Sequence, residues 1–143
     1  MKVLTNERID FEQINGFLRS AATKLKKAGQ IISLDEQIGF QTAYEAMLRA
    51  SLGFLLSYGK RPRNMVGHHK VVIEFVAERL GSEYSALMHS FDVMRRKRNE
   101  AIYEPISTIT ETEAAEALRI ANQLLKVVIE DIHTRNPQQK LLS

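Results

Sequence analysis

Cysteine and tryptophan are both absent from this chain. Without cysteine there is no disulfide, no thiolate nucleophile, no iron–sulfur cluster and no cysteine zinc site. Prolines number three and glycines seven in 143 residues, and they fall mostly between periodic segments, not in a low-complexity stretch. No apolar run approaches the ~20 residues that a membrane-spanning helix needs. The start, Met1-Lys2-Val3-Leu4-Thr5-Asn6-Glu7, lacks the apolar stretch of a secretion signal. A cytoplasmic location away from membranes is the expectation. Glycine-rich phosphate loops, nucleophile elbows and His-Glu-x-x-His spacing are also missing, so neither a cofactor nor a metal is expected. His68 and His69 are adjacent, which on a helix sets them about 100° apart and rules them out as a chelating pair.

Acidic residues are missing locally too. Between Phe54 and Ile73 there is none, while Lys60, Arg61, Arg63 and Lys70 are all cationic. A second basic cluster, Arg95-Arg96-Lys97-Arg98, lies further on. The net charge of +3 is small, so the distribution carries the signal. If the clusters meet, they make a local field suited to phosphate.

What is present is an ordinary globular composition, 44% apolar and 26% charged. The length suits a single domain over residues 1–143, with a flexible tail after about Asn136. Periodicity and caps predict an all-α, up-and-down bundle of about five helices and no strand. The first runs from Phe11 to Ala28, opened by an Asp10/Gln13 pair, striped by Ile14, Leu18, Ala21 and Leu25, and stopped by Gly29. The second opens on a Ser33/Glu36 capping box and runs to about Tyr58, with Ile38, Tyr44, Met47, Leu48, Leu52 and Leu55 inward. A basic loop, Lys60 to Val66, precedes a third helix from about Gly67 to Leu80 carrying Val72, Ile73 and Val76. The fourth runs from about Glu83 to Ile102, ended by Pro105. The fifth opens on a Thr110/Glu113 capping box and runs to about Thr134, striped by Ala114, Leu118, Ala121, Leu125, Val128 and Ile132.

The fourth helix carries the chemistry. Tyr84, Leu87, Phe91, Met94, Arg98 and Ala101 recur at three- and four-residue spacing, a seam that faces other helices. Arg98 therefore sits at a core position, where an unpaired guanidinium costs several kcal/mol. It either pairs with a carboxylate from another helix or lines a cleft and holds a phosphate with its planar fork. Asp92 is placed to pair with Arg96 at i, i+4. Arg95, Arg96 and Lys97 spread over the remaining faces as a solvated helix end. Arg95, Lys97, Arg61, Arg63, His69 and Lys70 are the candidate phosphate or nucleic-acid contacts. His89 and His133 are read as surface residues.

The run Arg98-Asn99-Glu100-Ala101-Ile102-Tyr103 resembles the signature of the HEPN domain family, in which an Arg followed by a polar residue precedes a His at the end of a late, long helix. The segments Ala43-Tyr44-Glu45-Ala46-Met47-Leu48-Arg49-Ala50 and Gly67-His68-His69-Lys70-Val71-Val72-Ile73 look like the family's second helix and the start of its third. The resemblance implies a homodimer whose Arg motifs meet in a cleft. It also implies binding of RNA or nucleotide, in some members metal-independent RNA cleavage, and in others a small nucleotidyltransferase partner within a toxin–antitoxin module. The catalytic set it implies is Arg98, Asn99 and Tyr103. Tyr103 stands where the family has its His, and a phenol of pKa near 10 is a poor general base at neutral pH.

Three readings follow. The first is a HEPN-like homodimer that binds RNA or nucleotide without strong nuclease activity. The second is an active metal-independent endoribonuclease using Arg98 with Tyr103 or His69. The third is a structural interaction bundle whose cations are solvated.

Overall fold

The computed structural model describes residues 3–64, 67–106 and 108–142. The end of the predicted basic loop at Val66 lies outside the described residues. Five α-helices form the bundle: α1 (Phe11–Ile31), α2 (Glu36–Ser57), α3 (His69–Leu80), α4 (Ser85–Tyr103) and α5 (Glu111–Arg135). A short 3₁₀ turn, Ser82–Tyr84, leads into α4.

Capping chemistry sets the helix starts. The Asp10 carboxylate accepts from the Glu12 and Gln13 amides and opens α1. At α5 the reciprocal capping box is complete: Thr110 Oγ1 accepts from the Glu113 amide, and the Glu113 carboxylate accepts from the Thr110 amide. At α2 the cap is Asp35, whose carboxylate accepts from the Ile38 amide at 3.0 Å, in place of the expected Ser33. Helix α1 runs through Gly29 to Ile31, because apolar contact with α2 outweighs the propensity cost of one glycine.

The prediction of no strand needs correction. Leu4–Asn6 (β1) pairs antiparallel with Lys60–Pro62 (β2), in the register Leu4↔Pro62, Thr5↔Arg61 and Asn6↔Lys60. Three-residue strands are too short to show a period-2 pattern, and their pairing joins segments that only the tertiary fold brings together. The first three residues of the predicted basic loop, Lys60–Pro62, are thereby a paired strand.

The core is built around α2, whose buried residues cover all but its outermost face. Phe54, Tyr44, Met47 and Leu55 are fully enclosed, with Ile14 and Leu18 from α1, Val72 and Val76 from α3, Phe91 from α4 and Val128 and Ile132 from α5. A helix buried nearly all round shows little amphipathic contrast, which is why the predicted α2 stripe is incomplete. Ile38, placed inward by that stripe, is 49% exposed. Beyond Asn136 the chain returns to the bundle: Asn15 Nδ2 donates to the Lys140 carbonyl at 3.1 Å, and Leu141 and Leu142 pack against the core.

A candidate phosphate site around Tyr44

The fold brings the first turn of α3 and the last turns of α4 onto the middle of α2. Tyr44, fully buried, is the residue they share. Its ring meets Phe91 of α4 edge-on at 5.8 Å between centroids. The His69 ring lies 5.8 Å from the Tyr44 ring, and the Tyr44 hydroxyl and His69 Nδ1 are hydrogen-bonded at 3.0 Å. The Arg98 guanidinium carbon sits 5.9 Å from the Tyr44 ring centroid, within cation–π range. Arg98 is half-buried, in keeping with its inward place in the α4 seam.

The four cations of α4 do not have the same surroundings. Arg95 Nε donates to Asp92 Oδ1 at 2.9 Å, and Arg96 Nε lies 3.4 Å from Asp92 Oδ2. Lys97 Nζ lies 3.5 Å from Glu113 Oε2. Arg98 has no carboxylate partner among the described residues, and its guanidinium reaches Asn99 Oδ1 only at a long 3.5 Å. The expectation that the other three cations are simply solvated fails for Arg95, whose side chain is 17% exposed in its pair with Asp92. Its head is held by the Asp92 carboxylate.

Burial and this positive field set the protonation states. His69 titrates below its ordinary value, chiefly because burial disfavours the imidazolium and further because Arg98 and Arg95 repel it. Burial raises the Tyr44 phenol well above its ordinary value, with Arg98 and Arg95 only partly opposing this. Both groups are therefore neutral at pH 7. The Arg95 hydrogen bond holds the Asp92 carboxyl below its usual range. Glu113 is held low chiefly by the Thr110 amide, with Lys97 adding to the effect.

The remaining predicted residues fall elsewhere. Tyr103 is 85% exposed at the end of α4, and among the described residues no hydrogen bond or ring contact joins it to Tyr44, His69 or Arg98. Asn99 is exposed beside Arg98. Lys70 is exposed at the start of α3 and acts electrostatically on Asp92, so one member of the first basic cluster does join the α4 cluster. Arg61 and Arg63 do not. Arg61 pairs with Glu7 at 3.6 Å, and both arginines border a separate groove of about 210 Å³ with Phe17, Leu52 and Leu56. A larger groove between α3 and α4, about 600 Å³, contains Lys70 and His89 but also Glu74, Glu78 and Asp92, which makes it a poor anion site. His68 Nδ1 is 2.8 Å from the Asn64 carbonyl and so takes part in the turn before α3. Among the described residues no group of His, Asp or Glu is arranged to hold a metal. Tyr44 is the one participant that sequence spacing does not assign to the site. It reads there as part of an apolar stripe, and its hydroxyl, a polar atom on a buried helix face, is the available signal.

No family model matches the chain, and no curated protein matches it. Among solved structures, TT1696 from Thermus thermophilus superposes with a TM-score of 0.64 at 20% identity, covering 82% of this chain and 97% of that one. The likeness is one of fold, an α-helical bundle. No helix is long and apolar enough to cross a membrane among the described residues.

Proposed function

We propose that the protein binds RNA or a nucleotide through phosphate, as a HEPN-like homodimer with little nuclease activity. The observation that carries this reading is the state of Arg98: a half-buried guanidinium with no carboxylate partner among the described residues, in a cluster whose other three cations each have one. Such a group is ready for a bidentate phosphate contact without first breaking an ion pair. Lys70 and Arg95 add to the local field, while Arg61 and Arg63 form a separate patch beside a groove with Phe17, Leu52 and Leu56. The HEPN resemblance adds a small nucleotidyltransferase as a partner and a toxin–antitoxin setting.

Arg98→Ala tests the reading directly. We expect an unchanged far-UV spectrum and a loss of affinity for a short oligoribonucleotide at low salt of about tenfold or more, the worth of a charge-assisted contact. Equal affinity in the variant would rule out Arg98 as the phosphate contact.

A further inference from the structure

We propose that Tyr44 locks His69 as a neutral Nε2–H donor, which grips the same phosphate as Arg98 and cannot serve as its base. This inference rests on the phosphate reading of Arg98 given above.

The buried phenol decides where the protons sit. Tyr44 is 0% exposed, and His69 Nδ1, at 3.0 Å, is the hydrogen-bond partner of its hydroxyl among the described residues. A buried O–H left without an acceptor bears its full desolvation penalty. The phenol stays protonated at neutral pH, so its proton points at Nδ1 and Nδ1 accepts. A neutral imidazole carries one proton, and with Nδ1 as acceptor that proton is on Nε2. His69 is only half-buried, which leaves part of the residue open to a ligand.

Leaving this state is unfavourable in either direction. The other tautomer would make Nδ1 the donor to the phenol oxygen and turn the Tyr44 proton away from its acceptor. Forming the imidazolium would place a proton on Nδ1, turn the phenol away from its acceptor and add charge to a site that already holds cations. Tyr44 from α2 and Arg98 and Arg95 from α4 act on His69 directly, while Asp92 of α4 acts on Tyr44 and Lys70 of α3 acts on Asp92. Asp92 is the only acid among them, and Arg95 and Arg96 already occupy its oxygens.

His69 and Arg98 lie against the same ring, at 5.8 and 5.9 Å from its centroid. Both present donors only, and phosphate oxygens accept only. The pair therefore suits a phosphate group, whether an internal phosphodiester of a strand or the monoester of a free nucleotide. General-base catalysis needs the Nε2 lone pair, and in this tautomer Nε2 carries the proton.

The test uses the full chain with ¹⁵N-labelled histidine. We expect His69 to show a protonated Nε2 and a bare Nδ1 at about pH 7 and above, and to titrate below the range of an ordinary histidine. In Tyr44→Phe, with its fold checked by thermal melting, the tautomers should mix and His69 should titrate at higher pH. A protonated Nδ1 in the parent protein, an ordinary titration there, or no change in Tyr44→Phe would overturn the lock.

Binding of a 5′-hydroxyl oligouridylate and of uridine monophosphate supplies the second arm. His69→Ala should weaken the bound probe about tenfold, while His69→Gln, whose amide nitrogen can take the place of Nε2, should retain most of the affinity. Whichever probe responds in this way distinguishes a strand from a free nucleotide. Equal loss in His69→Gln and His69→Ala, or no loss in either, would overturn the donor role and leave the Arg98 reading standing. If the parent protein binds neither probe, the Arg98 reading fails and the shared grip fails with it, whereas the histidine spectrum still reports on the lock independently.

Discussion

At the scale of the residue, charge is managed unequally along one helix end. Arg95 and Arg96 share Asp92, Lys97 reaches Glu113, and Arg98 lies over an aromatic ring. The position of Arg98 was legible from spacing, because three- and four-residue steps from Phe91 and Met94 place it on the inward seam. Its partner was not legible, because Tyr44 is distant in sequence and reads there as one more apolar-stripe residue. The same contacts make stability depend on pH. His69 binds its proton less readily in the folded chain than at its ordinary value of 6.5. As pH falls below about 6.5 the unfolded chain therefore takes up a proton that the folded chain refuses, and stability declines until the lower folded value is reached. We expect His69→Gln to flatten this part of a plot of melting temperature against pH. An unchanged acid slope in that variant would show that His69 is not its source. The carboxylates Asp92 and Glu113 act in the lower range: their stabilisation is present above the ordinary carboxyl values and is lost as pH falls through the depressed ones.

At the scale of the element, the existence and order of the helices followed from caps and periodicity. The Thr110/Glu113 box and the Asp10 cap are where the side-chain pattern placed them. The exchange of Ser33 for Asp35 as the α2 cap shows the limit of such signals, because two oxygen-bearing side chains close together both qualify until packing chooses one. Two glycines separate propensity from packing. Gly16 is exposed in α1 and an added Cβ would meet nothing within 4 Å, whereas at Gly39 in α2 it would lie 3.0 Å from Ile32 Cα. Gly16→Ala should raise stability by about 1 kcal/mol, the helix-propensity difference. Gly39→Ala gains the same propensity but forces α2 away from the end of α1, and overpacking of this kind costs about 1–3 kcal/mol. Denaturant midpoints of opposite sign for the two variants are expected. A stabilised Gly39→Ala would mean that the α1–α2 connection yields freely.

At the scale of the whole molecule, the bundle leaves an apolar cluster at the end of α4, with Ile102 53% exposed, Tyr103 85% and Ile106 78%. This is the face that the proposed homodimer would cover. Sedimentation at micromolar concentration should give the mass of two chains, and Tyr103→Glu should shift it toward one, because burying a carboxylate in an apolar contact is costly. A single-chain mass for the parent protein would remove the dimer from the proposal. The sequence by itself determined the helical class, the helix order, most of the core and the inward aim of Arg98, because these depend on spacing and on neighbours within a few residues. Only the tertiary structure decided that β1 pairs with β2, that Arg61 and Arg63 stand apart from the α4 cations, and that Tyr44 joins His69 to Arg98. Each of these depends on how segments far apart in the chain are placed, and the register between packed helices, which places them, is a property of the whole core.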